Sequence, residues 1–455
     1  VSMTVEPEGI AEHGRSSPIA WYALAVLILS VVVGFLDRQI LVLVVEPMKR
    51  DIGLDDLHIG ALQGLAPALF AVLAGFPLAW LADRMDRRWL LIACILFWSA
   101  ATAARGFADN FNELLVLTTG IAVGEAALTP IIYSLIPDLF SGRKREIANF
   151  VFFGAIVTGM GIGLMLGGAV LGSIDDLRPL LPEAVRTMET WRLACIAVAA
   201  PGALVALLVI PVPARRTACD IDPECPGERG ATLLPYLRAN MPAVALVFGG
   251  IGIYGAALSL ALSWLPIAIM RGLGVPAAEV GVRFGAIFSI AAILGLCLAA
   301  ATASFWRRRA PDAHAVRAMS FAMGSATIPM IALAFVTDAD QAYALGGAIL
   351  VLFFAGSAHS PTLLQDLAPP QLRARISAIS MIIYTLGAAS APMLVGAVSK
   401  ATGEQPAMLL PIVAVLGASA LVASAIVLRL AERPFIETRG RVAGAPVEPA
   451  LPATA

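Results

Sequence analysis

Charge is what this chain has least of. Acidic and basic residues make up 14% of its 455 residues, where soluble domains carry about a quarter. Charge this sparse cannot cover the water-facing surface of a protein of this size, and 59% of the residues are hydrophobic. Lipid must therefore be the solvent for much of the chain. The five cysteines form no disulfide framework. Cys94, Cys195 and Cys297 fall in apolar runs, where a thiol behaves as a small hydrophobe. Cys219 and Cys225 share a polar stretch without a nearby His, so no metal site is expected. Ser-His-Asp, metal-ligand and phosphate-binding glycine patterns are missing, which argues against an enzyme, an ATP-driven pump and any cofactor. A basic tail is missing too, and no nucleic-acid partner is expected. Alternating ten-residue strands are absent, which excludes a β-barrel. No signal peptide is read before the first long apolar run.

What is present is a series of long apolar runs. Met241 to Met270 carries no formal charge, and Ile19 to Val45 is interrupted only by Asp37, Arg38 and Gln39. About 20 such residues cross the hydrocarbon core. The runs predict spans near 19–46, 58–81, 89–109, 112–139, 147–172, 192–212, 241–270, 281–305, 315–336, 342–365, 374–399 and 407–430. The expected fold is an all-α membrane protein of twelve transmembrane helices in two six-helix bundles, residues 19–212 and 241–432. A cytoplasmic loop at 213–240 joins them, and tails at 1–18, read as disordered, and 433–455 flank them. Alternate loops carry Arg84, Arg87 and Arg88, then Arg143, Lys144 and Arg145, then Arg215 and Arg216, Arg307 to Arg309, and Arg373 with Arg375. Lys49, Arg50, Arg178 and Arg186 lie in the sparser set between. Basic loops stay cytoplasmic, so both termini are expected there, in a bacterial inner membrane. Two such halves suggest parallel repeats with a cavity between them at the midplane.

Asp37 and Arg38 in the first span and Glu125 in the fourth lie deep in apolar sequence. Each costs about 2.5–3.5 kcal/mol at a span centre unless it is paired or faces water. Ser30, Gly34 and Asp37 share one helix side, and Thr118, Glu125, Thr129 and Tyr133 form a second stripe. Both are read as cavity walls holding a protonatable site with Arg38 as its electrostatic partner; a static ion pair that fixes helix packing is the other reading. Asp83, Arg84, Arg87 and Arg88, with Arg143 and Arg145, are candidates for a cytoplasmic gate as well as a topology signal. Seven glycines between Gly154 and Gly172 permit close helix approach. Tyr254, Ser259, Ser263, Trp264 and Tyr384 are candidate cavity residues, and His359 is read as a packing residue. The second half has no charge near the middle of any span. A cavity polar on one side and greasy on the other suits an amphiphile.

These residues resemble those of a known family. Ala82-Asp83-Arg84 to Arg87-Arg88 resembles the loop motif of the major facilitator superfamily. Phe35-Leu36-Asp37-Arg38-Gln39, Phe97-Trp98-Ser99, Gly124-Glu125-Ala126, Asp138-Leu139-Phe140, Gly159 to Gly168 and Trp191-Arg192 resemble its Spinster branch, as do Leu386-Gly387 and Ser390-Ala391-Pro392. Thr118 stands where that branch often has Arg, seven residues before the fourth-span Glu, which leaves Arg38 as the expected main buried cation. Val157 replaces a common Pro, and Ala388 a common Asp. The resemblance implies a monomeric, proton-coupled carrier of lysolipid- or sphingoid-like amphiphiles, working by alternating access among membrane lipids. The alternatives are a proton-coupled carrier of a small organic anion or drug, and a scramblase or non-transporting receptor.

Overall fold

Among the described residues of the computed structural model, twelve helical stretches are long and apolar enough to cross a membrane. The structure describes residues 18–180, 182–213, 233–369 and 372–442, and no strand occurs among them. Spans 1 to 6 are Pro18–Ile52, Asp56–Ala82, Arg87–Arg105, Phe111–Leu139, Arg143–Leu180 and Thr190–Val209. Spans 7 to 12 are Met241–Leu273, Ala277–Arg309, His314–Phe335, Ala339–Leu367, Arg375–Ala401 and Pro406–Val442. Span 12 thus runs on to Val442, through the first part of the stretch read as a tail. Arg215, Arg216, Cys219 and Cys225 lie outside the described residues, as does the N-terminal stretch 1–17.

Several helix starts follow local rules. Asp55, Asp86, Asn110 and Asp338 precede spans 2, 3, 4 and 10, and each side chain accepts a backbone N–H of the first turn, satisfying donors that a helix start leaves free. Spans 2, 4 and 10 are each broken: a helix stops at Gln63, at Ala126 and at Ser357, and a second one follows. Each stop lies four residues before a proline, Pro67, Pro130 or Pro361. Proline has no N–H for the carbonyl at i−4 and its ring crowds that carbonyl.

Each half packs within itself: span 1 on 5 and 6, span 3 on 4 and 6, span 7 on 11 and 12, span 9 on 10 and 12. Two seams join the halves, span 5 against span 8 and span 2 against span 11. A Cβ on Gly281 would stand 2.6 Å from the Gly168 Cα, and one on Gly60 would stand 2.8 Å from the Met393 Cα. Backbones this close admit only glycine.

Candidate functional site

Both seams lie toward the face opposite the arginine-rich loops. On that face a charged cluster bridges the halves. Arg271, on span 7, donates to Glu46 at 2.5 Å and to Asp56 at 2.6 Å. Lys49 donates to Asp56 at 2.7 Å and also pairs with Glu404. Ser399 donates to Asp56 at 2.5 Å, and the Asp56 N–H donates to Glu404 at 2.8 Å. Asp56 is fully buried under these donors. Beside it Lys400 meets Asp55 at 2.7 Å. Burial pushes the Asp55 carboxyl up, but Lys400 and the His58 N–H outweigh it and hold that carboxyl below its usual range. None of this cluster was anticipated as a gate, because each residue lies near a span end, where charge is ordinary.

At the arginine-rich face the helix ends pack within their own half. The second piece of span 4, Leu128–Leu139, meets spans 1, 2, 3 and 5; the second piece of span 10, Ser360–Leu367, meets spans 7, 9, 11 and 12. Arg87 donates to Asp138 at 3.1 Å and to the Ser134 carbonyl. Arg88 donates to the Ile210 carbonyl. The Arg84 guanidinium lies 4.0 Å above the Trp80 ring. Arg143 and Arg145 are exposed. The side chain of Asp83 lies outside the described residues.

Between the halves is a cavity of about 610 Å³. The first half lines it with Arg38, Gln39, Gln63, Arg105, Thr118 and Glu125, among apolar neighbours. The second half lines it from spans 7 and 11, with Leu258, Ser259, Leu262 and Ser263, then Met381, Tyr384 and Thr385. Among the described residues, no formally charged one contributes from that side.

Arg38 Nη2 donates to Glu125 Oε2 at 2.5 Å. The Glu125 side chain is 7% exposed and that of Arg38 is 54% exposed. Gly34 packs beside this pair: a Cβ there would stand at an ordinary contact distance of 3.9 Å from Glu125 Oε1. Asp37 is fully buried, and neither carboxylate oxygen has a hydrogen-bond partner. The Trp98 indole on span 3 lies beside it without reaching hydrogen-bond geometry.

Sequence reasoning missed Arg105. It is 1% exposed, lies within electrostatic reach of Asp37 and Glu125, and its Nε and Nη1 have no hydrogen-bond partner. The main buried cation is therefore Arg105 and not Arg38. It falls inside the run 89–109 read as the third span, where it was not singled out; in the structure it is the last residue of span 3, and Gly106 closes the helix tightly against the Arg192 carbonyl of span 6.

Other expected residues scatter. Ser259 and Tyr384 line the cavity. Tyr254 is buried behind Tyr384 and donates to the Phe353 carbonyl at 3.3 Å. Ser30 is buried and donates to the Val26 carbonyl within its own helix. The break after Ala126 ends the fourth-span stripe: Thr118 and Glu125 line the cavity, whereas Thr129 and Tyr133 are exposed beyond the break and are not among its lining residues. Trp264 is buried and donates to the Pro392 carbonyl at 3.1 Å. His359 sits in the break of span 10 with Nε2 3.2 Å from Thr302 Oγ1.

Residues 27–392 match the Major Facilitator Superfamily. The chain belongs to that superfamily. It is a membrane transporter and not an enzyme. An MFS-type efflux pump of Mycolicibacterium smegmatis is 25% identical over 84% of this chain and 84% of its own length. The sphingosine-1-phosphate transporter SPNS2 of Mus musculus is 28% identical over 88% of this chain and 76% of its own. Protein spinster homolog 1 of Homo sapiens is 27% identical over 85% and 73%. These relatives bear out the resemblance to the Spinster branch. The fold is similar to that of a bacterial homolog of the human lysosomal transporter Spinster, known in inward-facing unoccupied and occupied conformations. The TM-score is 0.75 at 23% identity, over 96% of this chain and all of that one.

Proposed function

We propose that this transporter carries an amphiphile with a lipid-like tail by alternating access, coupled to proton movement, as a monomer. The observation that supports this reading is the asymmetry of the cavity: charged groups line it from the first half and none from the second. A long chain gains about 0.8 kcal/mol per buried methylene, so a tail against spans 7 and 11 supplies affinity without specific contacts. The head group then supplies selectivity against the polar wall around Arg38 and Glu125. Names of relatives agree in part, since one carries sphingosine-1-phosphate.

Asp37 and Glu125 are the proton carriers in this reading. A carboxyl group that gains and loses Arg38 as the halves move takes up and releases a proton in step with them. In this reading excess basic residues keep the arginine-rich loops cytoplasmic, and the protein sits in a bacterial inner membrane with both termini inside. The cavity then opens inward, with the Asp56 cluster as the outer seal. Asp83, Arg84, Arg87 and Arg88 would seal the inner face in the opposite state.

A second reading has one observation in its favour: the M. smegmatis relative is an efflux pump. It makes the substrate a small organic anion or drug. A series of alkyl chains on one head group, titrated into purified protein, separates the two. Affinity is expected to rise with each methylene until the cavity is filled. Affinity indifferent to chain length, with a short anion bound equally well, transfers the assignment to the small anion.

A further inference from the structure

Two acidic and two basic groups gather at or just behind the cavity wall, and only one pair is formed. Glu125 holds Arg38 at 2.5 Å. Asp37 and Arg105 are left over, on spans 1 and 3, both buried and neither hydrogen-bonded to the other. A buried charge without a partner is costly, and these two are neighbours of opposite sign. An arrangement that only stabilised the fold would close this second pair as it closes the first. Arg105 instead lines the cavity, with Nε and Nη1 unpartnered, beside the equally unpartnered hydroxyl of Thr118.

We propose that Arg105 is the specificity-determining residue of this transporter, selecting substrates with an anionic head group, phosphate or carboxylate, and exchanging that anion for Asp37. This rests on the transport reading above and adds the sign of the cargo. When Asp37 carries a proton, it leaves Arg105 to the substrate anion. When Asp37 gives up that proton, its carboxylate competes for the guanidinium, and the anion is released. Substrate anion and proton are then bound together on one side of the exchange. Arg38 cannot take the same part, because Glu125 already occupies it and its side chain is half exposed.

The groups facing Arg105 are few. Span 1 contributes Asp37, span 4 contributes Glu125, and span 6 contributes Cys195. Arg192 of span 6 is held by Asp51 and Asp109 at 3.0 and 3.1 Å. Among these, Asp37 is the carboxyl without a cation of its own.

The test uses the full chain in lipid nanodiscs and four probes with one tail: dodecyl phosphate, dodecanoate, dodecyl phosphocholine and dodecyl trimethylammonium. The wild type is expected to bind the two anions about tenfold more tightly than the phosphocholine, the scale of one charge-assisted hydrogen bond. Arg105→Gln should abolish that preference; Arg105→Lys, which keeps the charge, should retain it. Anion affinity of the wild type should fall as pH rises, and Asp37→Asn should flatten that dependence. An anion preference that survives Arg105→Gln overturns the proposal, as does a wild type indifferent to head-group charge. If Arg105→Gln fails to fold, the Asp37→Asn pH series decides: an unchanged slope refutes the exchange. Hexyl phosphate completes the set. Should it match dodecyl phosphate while the preference still depends on Arg105, the lipid reading falls and the role of Arg105 stands.

Discussion

Glu125 shows how one side chain couples chemistry to shape. Its carboxylate is buried against the Arg38 guanidinium, and a proton on Glu125 removes the charge that holds Arg38. Breaking a buried pair by removing one charge costs about 3–5 kcal/mol where it leaves the other charge uncompensated. Here the Arg38 side chain reaches the open cavity, so water can take over part of the solvation. Folding should therefore survive Glu125→Gln, which keeps the shape and deletes the titration. In proteoliposomes this variant is expected to lose gradient-driven flux by about a hundredfold or more while retaining its far-ultraviolet circular dichroism. Wild-type dependence of flux on the imposed pH gradient would count against the role given to Glu125.

Helices carry the next level of the argument. The span 5–span 8 and span 2–span 11 seams are built from glycine because backbones touch there. Gly281 is a strict position, since its missing Cβ would stand 2.6 Å from the Gly168 Cα and 2.9 Å from the Gly168 N. Gly281→Val is expected to force the seam apart, lower the thermal midpoint by several degrees and abolish transport. Gly249→Ala is the control. A Cβ there meets only the Val427 side chain at 3.9 Å, and removing a helical glycine gains about 0.5–1 kcal/mol. A thermal-shift assay on the two purified variants checks both directions; equal midpoints would mean that the seam tolerates separation.

For the molecule as a whole, the decisive feature is that the charged cluster around Asp56 joins the halves at one face while they stand apart at the other. Asp56 accepts from Lys49, Arg271 and Ser399 at once. Asp56→Asn removes the charge on which those donors converge. A loss of about 3 kcal/mol from this closed face moves the balance between the two open states by on the order of a hundredfold. Spin labels at the arginine-rich ends of spans 2 and 11 should then report shorter distances in the variant, as that face closes more often. An unchanged distance distribution would reduce the cluster to a local fastening.

Twelve spans, their pairing into halves and the depth of Asp37, Arg38 and Glu125 were determined by sequence alone, because lipid leaves an uncharged stretch of that length little other choice than a helix. The broken spans were only half legible. Pro67, Pro130 and Pro361 each end a helix, yet Pro77, Pro201, Pro266 and Pro392 lie inside unbroken ones. Whether a freed carbonyl bends or breaks its helix depends on what neighbouring spans offer it, and that is tertiary. Exposure was tertiary in the same way: the break after Ala126 moves Thr129 and Tyr133 off the stripe that helical spacing assigns them, and Tyr254 turns into the core. Arg105 lay unmarked near the end of the run 89–109, and Arg271 and Asp56 lay just outside their runs, as ordinary charges at a membrane surface do. Only the packed structure buries all three, because the energy of a charge is set by what surrounds it in space and not by its distance along the chain from the nearest apolar run.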